Sequence, residues 1–290
     1  MSRSAELYPA SMSVDLEDYF HPELVRRSIG PQDRRERVSA STAPLLDLFE
    51  RYGIRATFFV VGEVIRAAPA LIRRIAGAGH EIGCHTYSHR PLWELDPESF
   101  RREIRDFGAA LEEVAPGTLV RGFRAPTFSL DARTSWALDV LGEEGFQYDS
   151  SIVPSRGPLY GCPGAPRGIY RPSRENFLVH DAAGPLVEFP APVSRLGGVT
   201  VPVGGGIYLR GLPLVIYKRL VRGLLRRRPF FLYVHPWETD PDVPRVALPR
   251  LSSLATYCGI RGMLRKIENL LQTFKFTTMG AVVDQYGGGT

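Results

Sequence analysis

The chain has 290 residues, 44% hydrophobic and 23% charged, with a formal net charge of +5. These are ordinary globular proportions, and they exclude a disordered or collagen-like chain. Only three of the 36 basic residues are lysines (Lys218, Lys266, Lys275), and no long basic block points to dedicated nucleic-acid binding. Cys84, Cys162 and Cys258 lie far apart with no CxxC pair, which argues against a disulfide scaffold or a cysteine zinc site. The first ten residues lack the apolar core of a secretory signal, and no run of apolar residues is long enough to span a bilayer. The sequence therefore predicts a cytoplasmic protein.

In chain order, short β-rich runs alternate with amphipathic helices. Residues 11–15 read as a strand ending in acidic residues. A helix over 41–52 follows, with Leu45, Leu48, Phe49 and Tyr52 on one face and Gly53 as its stop. The apolar run 56–61 reads as a strand buried on both faces. A helix over 69–78, a strand over 80–84, a helix over 97–114, a strand over 119–123 and a helix over 131–144 come next. The Pro- and Gly-rich stretch at about 154–210 reads as loops and short strands, including 186–189, inserted into a single domain spanning 1–290. The alternation resumes with a helix over 212–225, a buried strand over 230–234, a helix over 261–273 and a strand over 276–279. Repeated βα units with buried strands predict a parallel sheet or barrel, whose active residues lie at the carboxyl ends of strands.

Four predicted strand ends carry chemistry. The first is followed by Asp15, Glu17 and Asp18, carboxylates that repel one another unless a cation or an arginine lies among them. Such a cluster alone is more often a solvated turn. Past the 80–84 strand come His85 and His89, which converge on one metal if the segment makes a helical turn. An HxxxH alone is a weak signal. Arg124 follows the 119–123 strand, where it can clamp a carboxylate or form an ordinary surface ion pair. His235 follows the 230–234 strand, either as a proton donor or as a packed loop histidine. Jointly the four suit metal-assisted hydrolysis.

The order Ser13-Val14-Asp15, Ala56-Thr57-Phe58-Phe59-Val60, His80 through His85 and on to His89, Arg124-Ala125-Pro126 and His235 resembles the polysaccharide deacetylases of carbohydrate esterase family 4, the NodB homology fold. The stretches Asp15 to His21, Tyr148-Asp149-Ser150-Ser151 and His235-Pro236-Trp237-Glu238 are similar to the exopolysaccharide-associated subgroup and its peptidoglycan-deacetylase and cofactor-free allantoinase relatives. The resemblance implies an α/β fold, a deformed (β/α) barrel of about seven strands, and one divalent metal, expected to be zinc. It implies Asp15 as general base, His85 and His89 as metal ligands, Arg124 as the residue orienting the base, His235 as catalytic acid and Thr86 as a brace of the metal loop. The family's adjacent aspartate pair is absent, because Leu16 follows Asp15; the metal carboxylate is then Glu17 or Asp18. Asp149 is the candidate for tuning His235.

The implied activity is removal of N-acetyl groups from an amino-sugar polysaccharide or its precursor, with release of acetate. The partner is then an N-acetylated glycan or a lipid- or nucleotide-linked sugar, with no nucleic acid. Rival readings are a metal-independent amidohydrolase of the same fold acting on a small cyclic amide, and an inactive carbohydrate-binding module. Tyr160, Tyr170, Tyr208 and Trp237 are candidates for stacking on sugar rings, though such aromatics more often pack in a core. The Arg226-Arg227-Arg228 triplet suits phosphate or a membrane surface, or simply a solvated helix end. Homo-oligomers occur among relatives, but nothing in the sequence defines an interface.

Overall fold

The computed structural model describes residues 7–157 and 159–286. Among the described residues ten strands run in chain order: β1 (Ala10–Leu16), β2 (Thr57–Val60), β3 (Glu81–Cys84), β4 (Gly122–Phe123), β5 (Tyr148–Asp149), β6 (Val187–Glu188), β7 (Val193–Leu196), β8 (Val199–Pro202), β9 (Phe230–Val234) and β10 (Phe276–Thr277). Strands β7 and β8 form an antiparallel hairpin of their own. The other pairings between these strands are parallel, in the order β9–β1–β2–β3–β4–β5–β6. Strand β10 pairs with the first two residues of β1 and β2 with its last four, while β9 runs along the opposite edge. The gap between β6 and β9 is bridged by residues 203–205, through Val203 N–H to Pro192 O and Tyr233 N–H to Gly204 O. The result is a deformed (β/α) barrel of seven strands around its wall, as the resemblance implied.

Both faces of the strands are covered, so β2 (TFFV) and β9 (FFLYV) are buried throughout. In β1 the apolar Met12, Val14 and Leu16 pack in the main core with Phe49 and Phe58. The intervening Ser13 and Asp15 share the other face, where both meet Arg124.

The helix over Pro97–Val114 matches its expected bounds, with the Asp96 carboxylate accepting the Ser99 N–H at 2.8 Å as its cap. Other elements differ from expectation. The helix at 41–52 starts earlier, at Val38. The expected 119–123 strand pairs only at Gly122–Phe123, and the expected 131–144 helix begins at Ala137, because 131–136 is wound into turns tied by Thr134. A short helix, Gly62–Ala67, was not anticipated. The insertion holds the β7–β8 hairpin and a helix at Gly206–Gly211.

The Arg226–Arg228 triplet lies at the end of the barrel away from the strands' carboxyl ends. Tyr8 N–H bonds Leu225 O just before β1 begins, and Phe230 N–H bonds Pro9 O. Arg228 donates to Val193 O, while Arg226 and Arg227 are exposed. Among the described residues no helix is long and apolar enough to cross a membrane.

Candidate active site

The carboxyl ends of β1, β3, β4 and β9 converge on one pocket, whose lining includes Asp15, Glu17, His85, His89 and His235. Ligand atoms of Glu17, His85 and His89, all three buried, lie within 4.8 Å of one another. Glu17 Oε2 is 2.7 Å from His89 Nε2, and the two imidazole centroids are 5.0 Å apart. His85 Nδ1 sits 2.6 Å from the Arg124 carbonyl oxygen. That bond assigns the Nδ1 proton and leaves the Nε2 lone pair for a metal. Burial pulls the His85 imidazole down to about 4, which keeps it in the neutral, ligating form. Burial disfavours the Glu17 carboxylate, but His89, His235 and His21 outweigh it and hold the group well below the usual carboxylate range.

The segment carrying the two histidines is not the helical turn the HxxxH spacing suggested. Thr86 and His89 both take the left-handed conformation, with φ of 60° and 56°. Left-handed backbone is costly for a β-branched residue and persists only where surroundings enforce it. Here the Glu103 carboxylate accepts Tyr87 N–H, Ser88 N–H and the Ser88 hydroxyl at 2.6–2.8 Å. Gly62 and Glu63 N–H groups bond the Thr86 and Tyr87 carbonyls. A Cβ on Gly62 would stand 2.8 Å from the Tyr87 Cα, so only glycine allows this approach. Thr86 thus sits in the loop it was expected to brace, though its hydroxyl has no partner among the described residues.

Asp18 is not brought to the cluster. Its carboxylate accepts the N–H groups of Tyr19, Arg37 and Val38 at 2.7–3.0 Å, and so caps the helix that starts at Val38. The first N–H groups of a helix need such acceptors. Of the two alternatives for the carboxylate ligand, only Glu17 faces His85 and His89.

Arg124 is fully buried among Phe59, Phe128, Phe231 and Tyr233, with its guanidinium carbon 4.2 Å from the Phe59 ring centroid. It donates to Asp15 Oδ1 at 2.6 Å and to Ser13 Oγ, Ser150 O and Ser150 Oγ. Asp15 therefore has a fixed pose and a counter-charge, with Oδ2 3.9 Å from His235 Nε2.

His235 enters from the opposite side. Its Nε2 lies 3.5 Å from Glu17 Oε1, and its ring stacks on Trp237 with centroids 5.1 Å apart. Asp149 does not reach it. The partner of His235 is Glu238, whose Oε2 lies 3.1 Å from Nδ1 and accepts the His235 backbone N–H at 3.0 Å. Glu238 is itself paired with Arg210 at 2.9 Å, both side chains 2% exposed. Burial works against a charged His235, but Glu17, Glu238 and Asp15 outweigh it and push the imidazole up to about 9. Glu238 stood three residues beyond His235 in sequence, which was the available signal; Arg210 and Glu103, far away in the chain, gave none.

Thr127 also lines the pocket, at φ 59°, and its N–H has no backbone acceptor among the described residues. Of the candidate stacking aromatics, Tyr160 and Trp237 line the pocket, whereas Tyr170 is buried with its hydroxyl on Phe177 O. Tyr208 is not among the lining residues.

At the strand ends of this deformed (β/α) barrel, the Glu17–His85–His89 cluster is a grouping able to hold a metal ion, beside a clamped aspartate and a histidine. Residues 30–146 match the polysaccharide deacetylase family, and residues 150–284 match a domain of unknown function, DUF3473. The chain is 35% identical over 100 residues to a chitooligosaccharide deacetylase of Bradyrhizobium sp., covering 34% of this chain and 43% of that protein. It is 33% identical over 99 residues to a peptidoglycan-N-acetylglucosamine deacetylase of Bacillus cereus, covering 34% and 36%. The match thus spans less than half the length of these relatives. A Mycobacterium smegmatis crystal structure described as a candidate polysaccharide deacetylase superposes with a TM-score of 0.58 at 22% identity, covering 97% of this chain and 94% of that one. The Bc1960 peptidoglycan N-acetylglucosamine deacetylase does so at 0.51 and 18%, covering 96% and 89%.

Proposed function

We propose that the chain is a single catalytic unit that hydrolyses the acetamide of an N-acetylated amino sugar in a glycan or glycan precursor and releases acetate. The observation that carries this reading is the convergence of Glu17, His85 and His89 within 4.8 Å in a pocket that also holds Asp15 and His235. Two imidazoles and one carboxylate fit a divalent cation, zinc above all, with positions left for water. Held by Glu17, His85 and His89, the cation would polarise a carbonyl and acidify water.

The chain's own groups supply the rest. Asp15, fixed by Arg124, takes the proton of the attacking water. The N–H of Thr127, a residue of the pocket wall, serves as donor to the oxygen that becomes negative during attack. His235, oriented by Glu238, gives its proton to the departing amine. Trp237 and Tyr160 offer rings against which a sugar can lie.

Acetate release from N-acetylated chitooligosaccharides and peptidoglycan fragments, with and without a chelator, tests the reading. The expected result is release that stops on chelation and returns with zinc. Release from a small cyclic amide that is indifferent to chelation would instead support the metal-independent amidohydrolase, and glycan binding without acetate release the inactive module.

A further inference from the structure

Asp149 and Glu188 are fully buried, on adjacent strands β5 and β6, and directly paired in register. Each has one carboxylate oxygen satisfied. Asp149 Oδ1 accepts the Ser151 hydroxyl, and Glu188 Oε1 accepts the Ile152 N–H at 3.1 Å. The other two, Asp149 Oδ2 and Glu188 Oε2, have no donor among the described residues, and the parallel register sets the two side chains side by side on one face of the sheet. Two carboxyl groups can hydrogen-bond only if a proton lies between them, and an uncompensated buried pair of negative charges is prohibitively costly. Among the described residues no cation pairs with them: Arg124, at the neighbouring strand end, is committed to Asp15, Ser13 and Ser150. The facing titratable groups are Cys162 and Tyr170, and burial pushes the Cys162 thiol up to about 12 and the Tyr170 phenol higher still.

The pair is linked to the site. Ser151, which donates to Asp149, accepts the Ala125 N–H at 2.8 Å. Ala125 follows Arg124, whose side chain holds Asp15 and whose carbonyl holds His85. We infer that Asp149 and Glu188 share one proton and together act as positioning residues, a strut that fixes the Arg124–Ala125 turn and through it His85 and Asp15. The catalytic part of this inference rests on the deacetylase reading; the shared proton and the hold on His85 do not.

Burial and the neighbouring Asp149 raise Glu188 well above its ordinary value of 4.5. The folded chain therefore keeps a proton that the unfolded chain gives up above that value, and the strut weakens as pH rises through the folded pKa.

Three readouts on the full chain test the inference. The infrared difference spectrum of wild type minus Glu188→Gln at neutral pH should contain a protonated carboxylic-acid band, and so should wild type minus Asp149→Asn. No such band in either spectrum overturns the shared proton. Zinc affinity should fall about 10–100-fold in Glu188→Ala, as for loss of support to a ligating histidine. It should stay near wild type in Glu188→Gln, whose amide can still bridge to Asp149. Wild-type zinc affinity in Glu188→Ala overturns the positioning role. If Glu188→Ala does not fold, the pH profile of acetate release decides: the decline at alkaline pH should be weaker in Glu188→Gln than in wild type, and an identical decline overturns the role. A wild type that binds zinc but releases no acetate from any N-acetylated glycan defeats the deacetylase reading, and the infrared and zinc arms still decide the pair.

Discussion

The two halves of the barrel hold their reactive side chains by different means. In the first half the constraint is largely backbone: Thr86, His89 and Thr127 are held at positive φ, Glu103 pins the loop between the histidines, and the Arg124 carbonyl fixes the His85 tautomer. In the second half the constraint is charge. His235 leans on Glu238, Glu238 on Arg210, and Arg210 on the carbonyls of Ala255, Thr256 and Cys258. Exposure differs accordingly, since the side chains of Glu17 and His89 are 2% and 5% exposed and that of His235 22%. A metal centre tolerates little positional error and gains from dryness, whereas a group that hands a proton to a leaving group must remain reachable.

Damage to the two halves should therefore separate metal binding from proton delivery. The largest effect is expected from His85→Ala with His89→Ala: elemental analysis should find no stoichiometric metal, and acetate release should fall to background. Next, Asp15→Asn and His235→Ala should each lower kcat by about 100- to 10,000-fold while metal content stays at the wild-type level. Loss of metal in His235→Ala would erase the distinction between the halves. Glu238→Gln leaves the imidazole in place with a weaker partner, and steady-state kinetics should register a fall in kcat of about 10–100-fold, the size common for a supporting shell.

Two smaller effects sharpen the picture. Asp18→Ala removes a helix cap and should cost about 0.5–2 kcal/mol in denaturant unfolding, with metal content unchanged; a lost metal would return Asp18 to the ligand set. Replacing the exposed Arg226 and Arg227 by serine, at the far end of the barrel, should change stability by no more than about 0.5 kcal/mol and leave acetate release as it was.

Much of this was legible in the chain. The buried strands TFFV and FFLYV and the helix after Asp96 follow from local pattern, because a strand covered on both faces must be apolar throughout and a helix needs an acceptor at its start. The short strands β4, β5 and β6 have only two residues each, too few for a periodic signal. The HxxxH spacing offered convergence of the two histidines only through a helical turn; the loop reaches it through left-handed backbone at Thr86 and His89, which spacing does not reveal. Asp149 was no more than a candidate for tuning His235; the sheet register places it against Glu188.

The sequence by itself determined the βα alternation and which residues stand at strand ends, since both follow from local periodicity and from the direction of a parallel strand. It left Glu17 and Asp18 equivalent, one residue apart with the same chemistry. Tertiary structure decided between them, because the helix beginning at Val38 arrives at Asp18 with unsatisfied N–H groups while the histidine loop arrives at Glu17. The pairings Arg124 with Asp15, Arg210 with Glu238 and Asp149 with Glu188 join residues 28 to 109 positions apart. Only closure of the barrel makes them neighbours, and burial then compels each charge to find a partner or keep a proton.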